Sequence, residues 1–171
     1  MVCTGNLCRS PMAEVLLRHS VTERGCEGIE ISSVGTWAYY GRPATEEAIA
    51  TMAERGADLT AHLSRPVEVA ELREADLIVA MTSVHVRELA NLAPDVSDRV
   101  VLLKELREIQ SESLGADSTP EDKVRALLTG QRPKRRRDLD LDDPMGMPIG
   151  AYERCAGELA EGVDVLVKAL C

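Results

Sequence analysis

Aromatic side chains and long apolar runs are both scarce in this sequence. Its 171 residues contain no Phe, one Trp and three Tyr, so a core has to be built from aliphatic side chains. No stretch approaches the ~18 apolar residues of a membrane span. The chain also does not open with a charged segment followed by an apolar one, as a signal peptide does. We therefore expect a cytoplasmic protein without a membrane partner.

A basic face is missing as well. The formal net charge is −9, whereas a general nucleic-acid-binding protein carries a basic stripe, so we expect no nucleic-acid partner. An anionic substrate is still compatible with this charge, because a local anion site can lie on an acidic protein. The three histidines, His19, His62 and His85, show no ligand spacing with each other or with the cysteines, so we expect no metal site.

The cysteines do not form the pattern of a disulfide framework. There are five of them, an odd number, and thiols stay reduced in the cytoplasm. We expect Cys26, Cys155 and Cys171 to be inert thiols, with Cys155 on the core face of a helix and Cys171 at the chain end. Cys3 and Cys8 lie in a different setting, at the start of the chain.

Helical and strand-like apolar patterns alternate along the chain. Short apolar runs predict buried strands over residues 29–35, 75–81 and 100–103. A period near 3.6 predicts helices over residues 11–25, 45–56, 84–92 and 152–170. Such alternation is typical of an α/β layer structure with a parallel sheet. The length suits a single domain over residues 1–171.

A polar, partly basic insertion at about residues 108–140 interrupts this pattern. Residues 121–128 predict a short helix within it. The basic run RPKRRR, residues 132–137, could be a nucleic-acid or localisation patch. Because Asp138, Asp140, Asp142 and Asp143 follow it, we favour a solvated loop that balances its own charge.

The opening loop, CTGNLCRS at residues 3–10, concentrates polar and reactive groups. Gly5 and Asn6 tolerate the left-handed backbone that turns successive N–H groups around an anion. Ser10 can cap the following helix, and Pro11 suits its first turn. That helix would direct its positive N-terminal end at the same place. The loop therefore predicts a cup for a phosphate dianion.

Nucleophilic chemistry fits this cup. A helix N-terminus beside a cation favours a thiolate, the reactive form of cysteine, so Cys3 becomes a candidate nucleophile toward phosphorus. Arg9 offers paired donors to phosphoryl oxygens. A proton donor for the leaving oxygen is expected in the acid loop, DDPMG at residues 142–146, where Pro144 fixes the backbone of Asp143. A plain turn with two buried cysteines would not explain why Arg, Ser and Pro follow in that order.

These stretches resemble the low-molecular-weight protein tyrosine phosphatase family. CTGNLCRS matches its Cys-x5-Arg-Ser loop and DDPMG its Asp-Pro loop, while SSVGTW, HLSR and ADLIVAM resemble intermediate segments. The resemblance implies a three-layer α/β fold, with a four-stranded parallel sheet in the order 2-1-3-4 flanked by helices, and no metal or organic cofactor.

The resemblance also implies roles for individual residues. Cys3 would form a phosphocysteine, Arg9 would bind phosphate, and Asp143 would protonate the leaving group and then activate water. Asn6 would hold the loop and Ser10 would stabilise the thiolate. Thr4, Gly5, Leu7 and Cys8 would complete the substrate-binding loop.

Further implications concern regulation and substrate. Cys8 would be able to pair reversibly with the nucleophile under oxidation. Trp37, Tyr39 and Tyr40 would lie at the cleft rim and stack on an aryl ring, unless they are ordinary loop aromatics. Leu7 stands where the arginine-phosphatase branch typically carries Thr, which favours phosphotyrosine. Met145 replaces an aromatic residue often found in the acid loop, which weakens aryl recognition. The expected substrate is a phosphorylated protein or a small aryl phosphate.

The front of the chain departs from the family pattern. Family members carry a central β-strand directly before the cysteine, but only Met1 and Val2 precede Cys3. At ~3.3 Å per residue they cannot supply a strand of normal length, so we expect this first strand to be largely missing and its neighbours to lack a central partner. Either residues upstream are missing, or the chain is a poorly stable or inactive remnant.

Two alternative functions stay open. An arsenate reductase of the related thiol type would reuse the cup, but its chemistry needs further cysteines in mid-chain, and none lies between Cys26 and Cys155. A non-catalytic phosphate- or phosphopeptide-binding module would need neither Cys3 nor Asp143. The sequence does not indicate an oligomeric state.

Overall fold

The computed structural model describes residues 1–108, 118–130 and 137–171. Four parallel strands form one sheet in the order β2-β1-β3-β4. They are β1 (Val2–Cys3), β2 (Val34–Gly35), β3 (Ile78–Ala80) and β4 (Val100–Leu102). This sheet and its flanking helices confirm the expected α/β fold and strand order.

Within the described residues, six α-helices connect and cover the strands. They are α1 (Arg9–Glu23), α2 (Glu46–Ala53), α3 (Val69–Glu74), α4 (Ser83–Leu92), α5 (Pro120–Thr129) and α6 (Ile149–Leu170). All but α3 overlap a helix predicted from the sequence, including the short helix inside the polar insertion. Short 3-10 turns at Pro94–Arg99, Lys104–Glu108 and Arg137–Leu139 complete the described elements. None of the helices among the described residues is long and apolar enough to cross a membrane.

Two aliphatic clusters, one on each face of the sheet, make up the core. Side chains of α1, α2, α5 and α6 form one cluster, and those of α3 and α4 form the other. Strand residues alternate between them: Val79 and Val101 face the first cluster, while Ile78 and Val100 face the second. Both faces are therefore buried, which explains the continuous apolar runs of these strands. Tyr152 is the aromatic residue within this core.

The first strand is short but present. Val2 pairs with Val34 of β2 on one side and with Ala80 of β3 on the other. The expectation that β2 and β3 lack a central partner is therefore wrong for the residues that pair with Val2. Residues 29–31 were expected to extend β2, but they do not form a strand.

The expectation of free thiols is wrong for two cysteines. Cys26 lies just beyond the end of α1, and Cys171 follows α6. These two helices pack against each other, and Cys26 and Cys171 form a disulfide with Cα atoms 5.7 Å apart across 145 residues of sequence. Only tertiary packing brings this pair together, so the spacing of the cysteines could not reveal it. Cys155 is a free thiol on the buried face of α6, as predicted.

The strand order creates a topological switch point at the carboxyl ends of the two central strands, β1 and β3. β1 connects outward to β2, whereas its other neighbour, β3, connects outward to β4. In open α/β sheets, ligands bind beyond the carboxyl ends of strands at such a switch point. The opening loop follows β1 at this place. Residues 132–136 of the basic run lie outside the described residues, so their interpretation as a solvated loop stays a prediction.

Candidate active site

The opening loop wraps tightly around the end of β1. Cys3 is 2% exposed and ends the strand, and α1 begins six residues later at Arg9. Asn6 adopts a left-handed conformation with φ 54°, which asparagine tolerates better than most residues. Gly35 packs directly beneath the loop, since a Cβ atom there would lie 2.4 Å from the Thr4 carbonyl oxygen and 2.9 Å from the Asn6 nitrogen. The loop conformation thus depends on Asn6 and on the absence of a side chain at Gly35.

Ser10 directly contacts the sulfur of Cys3. The Ser10 Oγ lies 3.0 Å from the Cys3 Sγ, and it accepts a hydrogen bond from the Asn6 Nδ2 at 2.9 Å. The Ser10 hydroxyl also lies 3.3 Å from the Val34 carbonyl oxygen as a donor, so its single hydrogen is shared between this oxygen and the sulfur. A hydroxyl donor at this distance stabilises a thiolate more than a thiol. The geometry suits a cysteine that acts as an anion.

Asn6 is the buried anchor of the loop. Its Nδ2 also donates to the Ser33 Oγ at 2.9 Å, and its Oδ1 accepts from the Arg65 backbone N–H at 3.0 Å. The His62 Nε2 lies 2.8 Å from the Asn6 carbonyl oxygen. The sequence predicts a loop-holding role for Asn6, but it does not identify Ser33, His62 and Arg65 as its partners. These lie 27 or more residues away, so no local spacing could reveal them.

Arg9 and Asp143 form an ion pair across the crevice. The Arg9 guanidinium is 4% exposed, and its Nη2 lies 2.5 Å from the Asp143 Oδ2. Its Nη1 donates to the Leu141 carbonyl oxygen at 3.3 Å. The Asp143 side chain is half-exposed, and its Oδ1 accepts from the Met145 backbone N–H at 3.1 Å. The structure thus brings together the two charged groups that the sequence placed 134 residues apart.

The other two free thiols lie in less reactive surroundings. The Cys8 Sγ is buried between the Thr45 Oγ1 at 3.6 Å and the Tyr152 hydroxyl at 3.7 Å, and burial raises its pKa. Burial also raises the pKa of Cys155 to about 12. Both groups are therefore neutral thiols at physiological pH, and thiols are poor nucleophiles.

Of the three loop aromatics, Trp37 contacts the opening loop. The Trp37 backbone N–H donates to the Thr4 carbonyl oxygen at 2.9 Å, and the Trp37 side chain is 73% exposed. Tyr39 and Tyr40 are similarly exposed. Each has a polar or charged contact: the Trp37 indole N–H donates to Glu88, the Tyr40 hydroxyl donates to Glu68, and the Tyr39 ring lies beneath Arg42. That Tyr39 and Tyr40 line the rim of the site stays a prediction.

A further bridge joins the opening loop to the start of α4. The two ring nitrogens of His85 lie 2.9 Å from the Thr4 Oγ1 and 2.9 Å from the Thr82 Oγ1. The sequence did not single out His85 or Thr82, because neither shows a recognisable spacing to the loop. Among residues 1–108, 118–130 and 137–171, no group of three His, Cys, Asp or Glu side chains is arranged to hold a metal ion.

Comparison with known proteins identifies the family. Residues 1–118 match the family described as low molecular weight phosphotyrosine protein phosphatase. The chain belongs to this family. A cysteine nucleophile at the end of β1 is consistent with membership, and the enzyme class is that of a hydrolase acting on phosphorylated proteins.

The similar proteins of this family include tyrosine phosphatases and arginine phosphatases. A probable low molecular weight protein-tyrosine-phosphatase, EpsP of Ralstonia nicotianae, is 34% identical over 99% of this chain and 93% of its own length. The protein-arginine-phosphatase of Bacillus subtilis is 32% identical over the same shares. A solved structure of the arginine phosphatase YwlE, a cysteine-to-serine mutant with a phosphorylated active-site serine, superposes with a TM-score of 0.75. It is 29% identical and is matched over 98% of this chain and 91% of its own.

Proposed function

We propose that this chain hydrolyses phosphotyrosine in proteins, through a phosphocysteine on Cys3. The observation that carries the proposal is a pair of contacts at the start of α1: the Cys3 sulfur contacts Ser10, and Arg9, the residue before Ser10, pairs with Asp143. In the proposed mechanism these four residues supply the nucleophile, a group that stabilises it, a phosphate-binding cation and a proton donor. No metal or organic cofactor takes part in this mechanism.

The first step transfers the phosphoryl group to sulfur. The Cys3 thiolate attacks phosphorus, the S–P bond forms, and the bond between phosphorus and the phenolic oxygen breaks. Asp143 in its neutral form gives its proton to that leaving oxygen. Arg9 binds the equatorial phosphoryl oxygens together with backbone N–H groups of the loop. The phosphoryl group has to displace the Asp143 carboxylate from Arg9, and losing this ion pair favours the neutral acid.

The second step releases phosphate and restores the thiolate. The Asp143 carboxylate takes a proton from water, the water oxygen attacks phosphorus, and the S–P bond breaks. Ser10 donates its hydroxyl hydrogen to the departing sulfur, which then carries the negative charge. The phosphorylated active-site serine of the similar arginine phosphatase supports a covalent intermediate at the nucleophile position.

The choice of phosphotyrosine over phosphoarginine rests on two features of the crevice. Leu7 in the opening loop is an apolar residue where the arginine-phosphatase branch typically carries Thr. The exposed rings of Trp37, Tyr39 and Tyr40 offer stacking surfaces for a phenyl ring. Similar proteins of both kinds exist, so the substrate class has to be measured.

The two alternatives carry less support. Arsenate reduction of the related type hands a disulfide to mid-chain cysteines, but none lies between Cys26 and Cys155, and Cys26 is already bonded to Cys171. A module that only binds phosphate would not need a proton donor beside the guanidinium.

We also propose that residues 1–171 form one phosphatase domain with the insertion at 108–140.

The test is turnover of p-nitrophenyl phosphate by the wild type, Cys3→Ser and the matched control Cys155→Ala. Cys155→Ala removes another buried thiol that lies outside the proposed mechanism. We expect turnover that vanadate inhibits in the wild type and in Cys155→Ala, and none in Cys3→Ser. Equal turnover by wild type and Cys3→Ser would overturn the proposed mechanism. A folded wild type that binds vanadate without turnover would support the binding module instead.

Substrate class is then measured with two peptides of the same sequence, one phosphorylated on Tyr and one on Arg. We expect kcat/KM for the phosphotyrosine peptide to be at least about tenfold higher, the discrimination available from one well-placed apolar contact. A preference for the phosphoarginine peptide would overturn the assignment of substrate class and leave the cysteine mechanism intact.

A further inference from the structure

His85 lies where the two halves of the candidate active site meet. It is the third residue of α4, and it is 2% exposed. One ring nitrogen, Nε2, lies 2.9 Å from the Thr4 Oγ1, and the other, Nδ1, lies 2.9 Å from the Thr82 Oγ1. Thr4 directly follows the nucleophile, and Thr82 caps α4. The imidazole therefore connects the opening loop to the helix that follows β3.

The hydrogen bonds of the two threonines favour one tautomer of this imidazole. The Thr82 Oγ1 already accepts the His85 backbone N–H at 3.4 Å, so its single hydrogen can be donated to the His85 Nδ1. The Nε2 then carries the ring hydrogen and donates it to the Thr4 Oγ1, and the Thr4 hydroxyl hydrogen remains for a further acceptor. The opposite tautomer would direct two donors at the Thr82 oxygen, which has two lone pairs to accept them, so the tautomer has to be measured.

The start of α4 is also fixed to the segment that leads into the acid loop. Asp140 accepts hydrogen bonds from the Ser83 backbone N–H at 2.6 Å and from the Ser83 hydroxyl at 3.0 Å. The Leu141 N–H donates to the Met81 carbonyl oxygen at 2.9 Å. Asp143 follows two residues later. The start of α4 thus contacts the nucleophile side through His85 and the acid side through Ser83.

Burial keeps the His85 ring neutral. The Arg9 charge acts in the same direction, whereas Glu88, Asp143 and Asp140 raise the pKa of His85. Burial, and after it the Arg9 guanidinium, lowers the pKa of His85 to about 4. The ring therefore stays neutral across the pH range in which phosphatases are assayed. A neutral ring has one donor and one acceptor, which matches its two threonine partners.

We propose that His85 is a positioning residue of the phosphatase reaction: it holds the Thr4 hydroxyl, and with it the first turn of the opening loop, in the geometry that binds the transition state. The inference rests on the proposed function. Hydrogen bonds that keep a loop preorganised matter more for the transition state than for the bound ground state. His85 touches neither the sulfur nor the carboxylate, so it acts through Thr4.

The variants that test this are His85→Gln, His85→Ala and Thr4→Val. Glutamine can place a donor near the position of Nε2, alanine removes it, and valine removes the hydroxyl with little change of volume. We expect His85→Ala and Thr4→Val each to lower kcat about five- to tenfold, as for the loss of one or two hydrogen bonds, with little change in KM. His85→Gln should recover most of the rate. The double variant His85→Ala/Thr4→Val should be no slower than either single variant, because both changes remove the same hydrogen bond between His85 and Thr4.

A second readout separates positioning from a loss of stability, and it does not need turnover. Vanadate adopts the five-coordinate geometry of the transition state, whereas inorganic phosphate resembles the ground state. His85→Ala should weaken vanadate binding about five- to tenfold and phosphate binding less than twofold. A partly unfolded variant would weaken both equally. Equal weakening of both anions, or additive effects of the two single changes, would overturn the proposal.

The tautomer is measured by long-range ¹H–¹⁵N NMR of the wild type. We expect the His85 signals of a neutral ring protonated at Nε2, unchanged between pH 8 and pH 5. A His85 ring that titrates in this range, or one protonated at Nδ1, would overturn the proposal. If the wild type has no turnover while this tautomer and the vanadate preference are present, the proposed function fails, and what stands is that His85 positions the opening loop around a bound anion.

Discussion

The opening loop and the acid loop face each other across the same crevice, yet they are built differently. In the opening loop the side chains of Asn6, Arg9 and Ser10 are buried, and Asn6 alone holds Ser10, Ser33 and the Arg65 backbone. In the acid loop the Asp143 side chain is half-exposed, and it contacts Arg9 and the backbone of Met145. One loop is fixed by buried hydrogen bonds, and the other reaches the site with one exposed side chain.

This difference follows from the proposed chemistry of the two loops. The nucleophile needs a fixed set of donors around the transferred phosphoryl group, and buried donors are most effective because water does not compete with them. The acid has to exchange protons with the leaving group and with water, which requires access to solvent. Changes in the opening loop should therefore affect both stability and turnover, whereas changes in the acid loop should affect turnover alone.

The largest effect is expected from Asp143→Asn, compared with Asp142→Asn next to it. Asparagine cannot supply a proton, so kcat for phenyl phosphate, which has a poor leaving group, should fall about 10²–10⁴-fold. The fall should be smaller for p-nitrophenyl phosphate, whose leaving oxygen needs little protonation. The exposed neighbour Asp142 should tolerate the same change within about twofold. A larger loss for Asp142→Asn would reassign the acid.

The stability of Asp143→Asn also tests the difference between the opening loop and the acid loop. The ion pair of Arg9 with Asp143 has one half-exposed partner, so the free energy of unfolding of Asp143→Asn, measured in urea, should stay within about 1 kcal/mol of wild type. Inorganic phosphate should bind more tightly, because the carboxylate no longer competes for Arg9. Weaker phosphate binding would show that the ion pair assists the site instead of competing with the substrate.

Asn6→Ala should disrupt the conformation of the opening loop. It leaves the partly buried Arg65 N–H without its acceptor and Ser10 and Ser33 without the Asn6 donor, and it places alanine at φ 54°. We expect a loss of about 2–4 kcal/mol in the free energy of unfolding, together with a fall in kcat. Ser33→Ala, which removes one of these contacts, should cost less. A stability loss no larger than that of Asp143→Asn would contradict the contrast between the loops.

Gly35→Ala probes the surface on which the opening loop rests. The added methyl group would meet the Thr4 carbonyl oxygen at 2.4 Å, and relieving this overlap should cost about 1–3 kcal/mol. Gly157 in α6 is the matched control, since a Cβ atom there has no neighbour within 4 Å. Gly157→Ala should stabilise the helix by about 0.5–1 kcal/mol. Thermal unfolding of both variants gives the comparison, and a neutral Gly35→Ala would contradict this close packing.

The smallest effect is expected at the rim. Trp37→Ala removes an exposed ring whose backbone contacts the opening loop, so KM for a phosphotyrosine peptide should rise about two- to fivefold, the effect of losing one aromatic contact. The kcat for p-nitrophenyl phosphate should not change. An equal loss on both substrates would mean that Trp37 supports the loop through its backbone neighbours instead of binding the peptide.

Local sequence patterns predicted most of the architecture. Apolar periodicity places α2, α4, α5 and α6 close to their observed bounds, because each buries one face that recurs every three or four residues. The resemblance supplied the strand order, which the structure confirms. The structure also pairs Arg9 with Asp143 and places the Cys3 sulfur against Ser10, the residue after Arg9.

The remaining features depend on contacts between distant parts of the chain. Residues 29–31 alternate like a strand but lack a partner, so propensity alone is not sufficient to form one. The disulfide of Cys26 with Cys171 joins the ends of two packed helices. His62, His85 and Ser33 reach the opening loop from other elements, and a lone histidine or serine in a sequence has no spacing that marks such a role.

The most direct test of the central claim is identification of the phosphorylated residue. Asp143→Asn is mixed with p-nitrophenyl phosphate, quenched in acid and digested, and the peptides are analysed by mass spectrometry. Since the variant lacks the base that activates water, the intermediate should accumulate. We predict one phosphoryl group on the sulfur of Cys3 and none when Cys3 is changed to Ala. A phosphoryl group on another residue, or turnover without any phosphorylated peptide, would contradict the account.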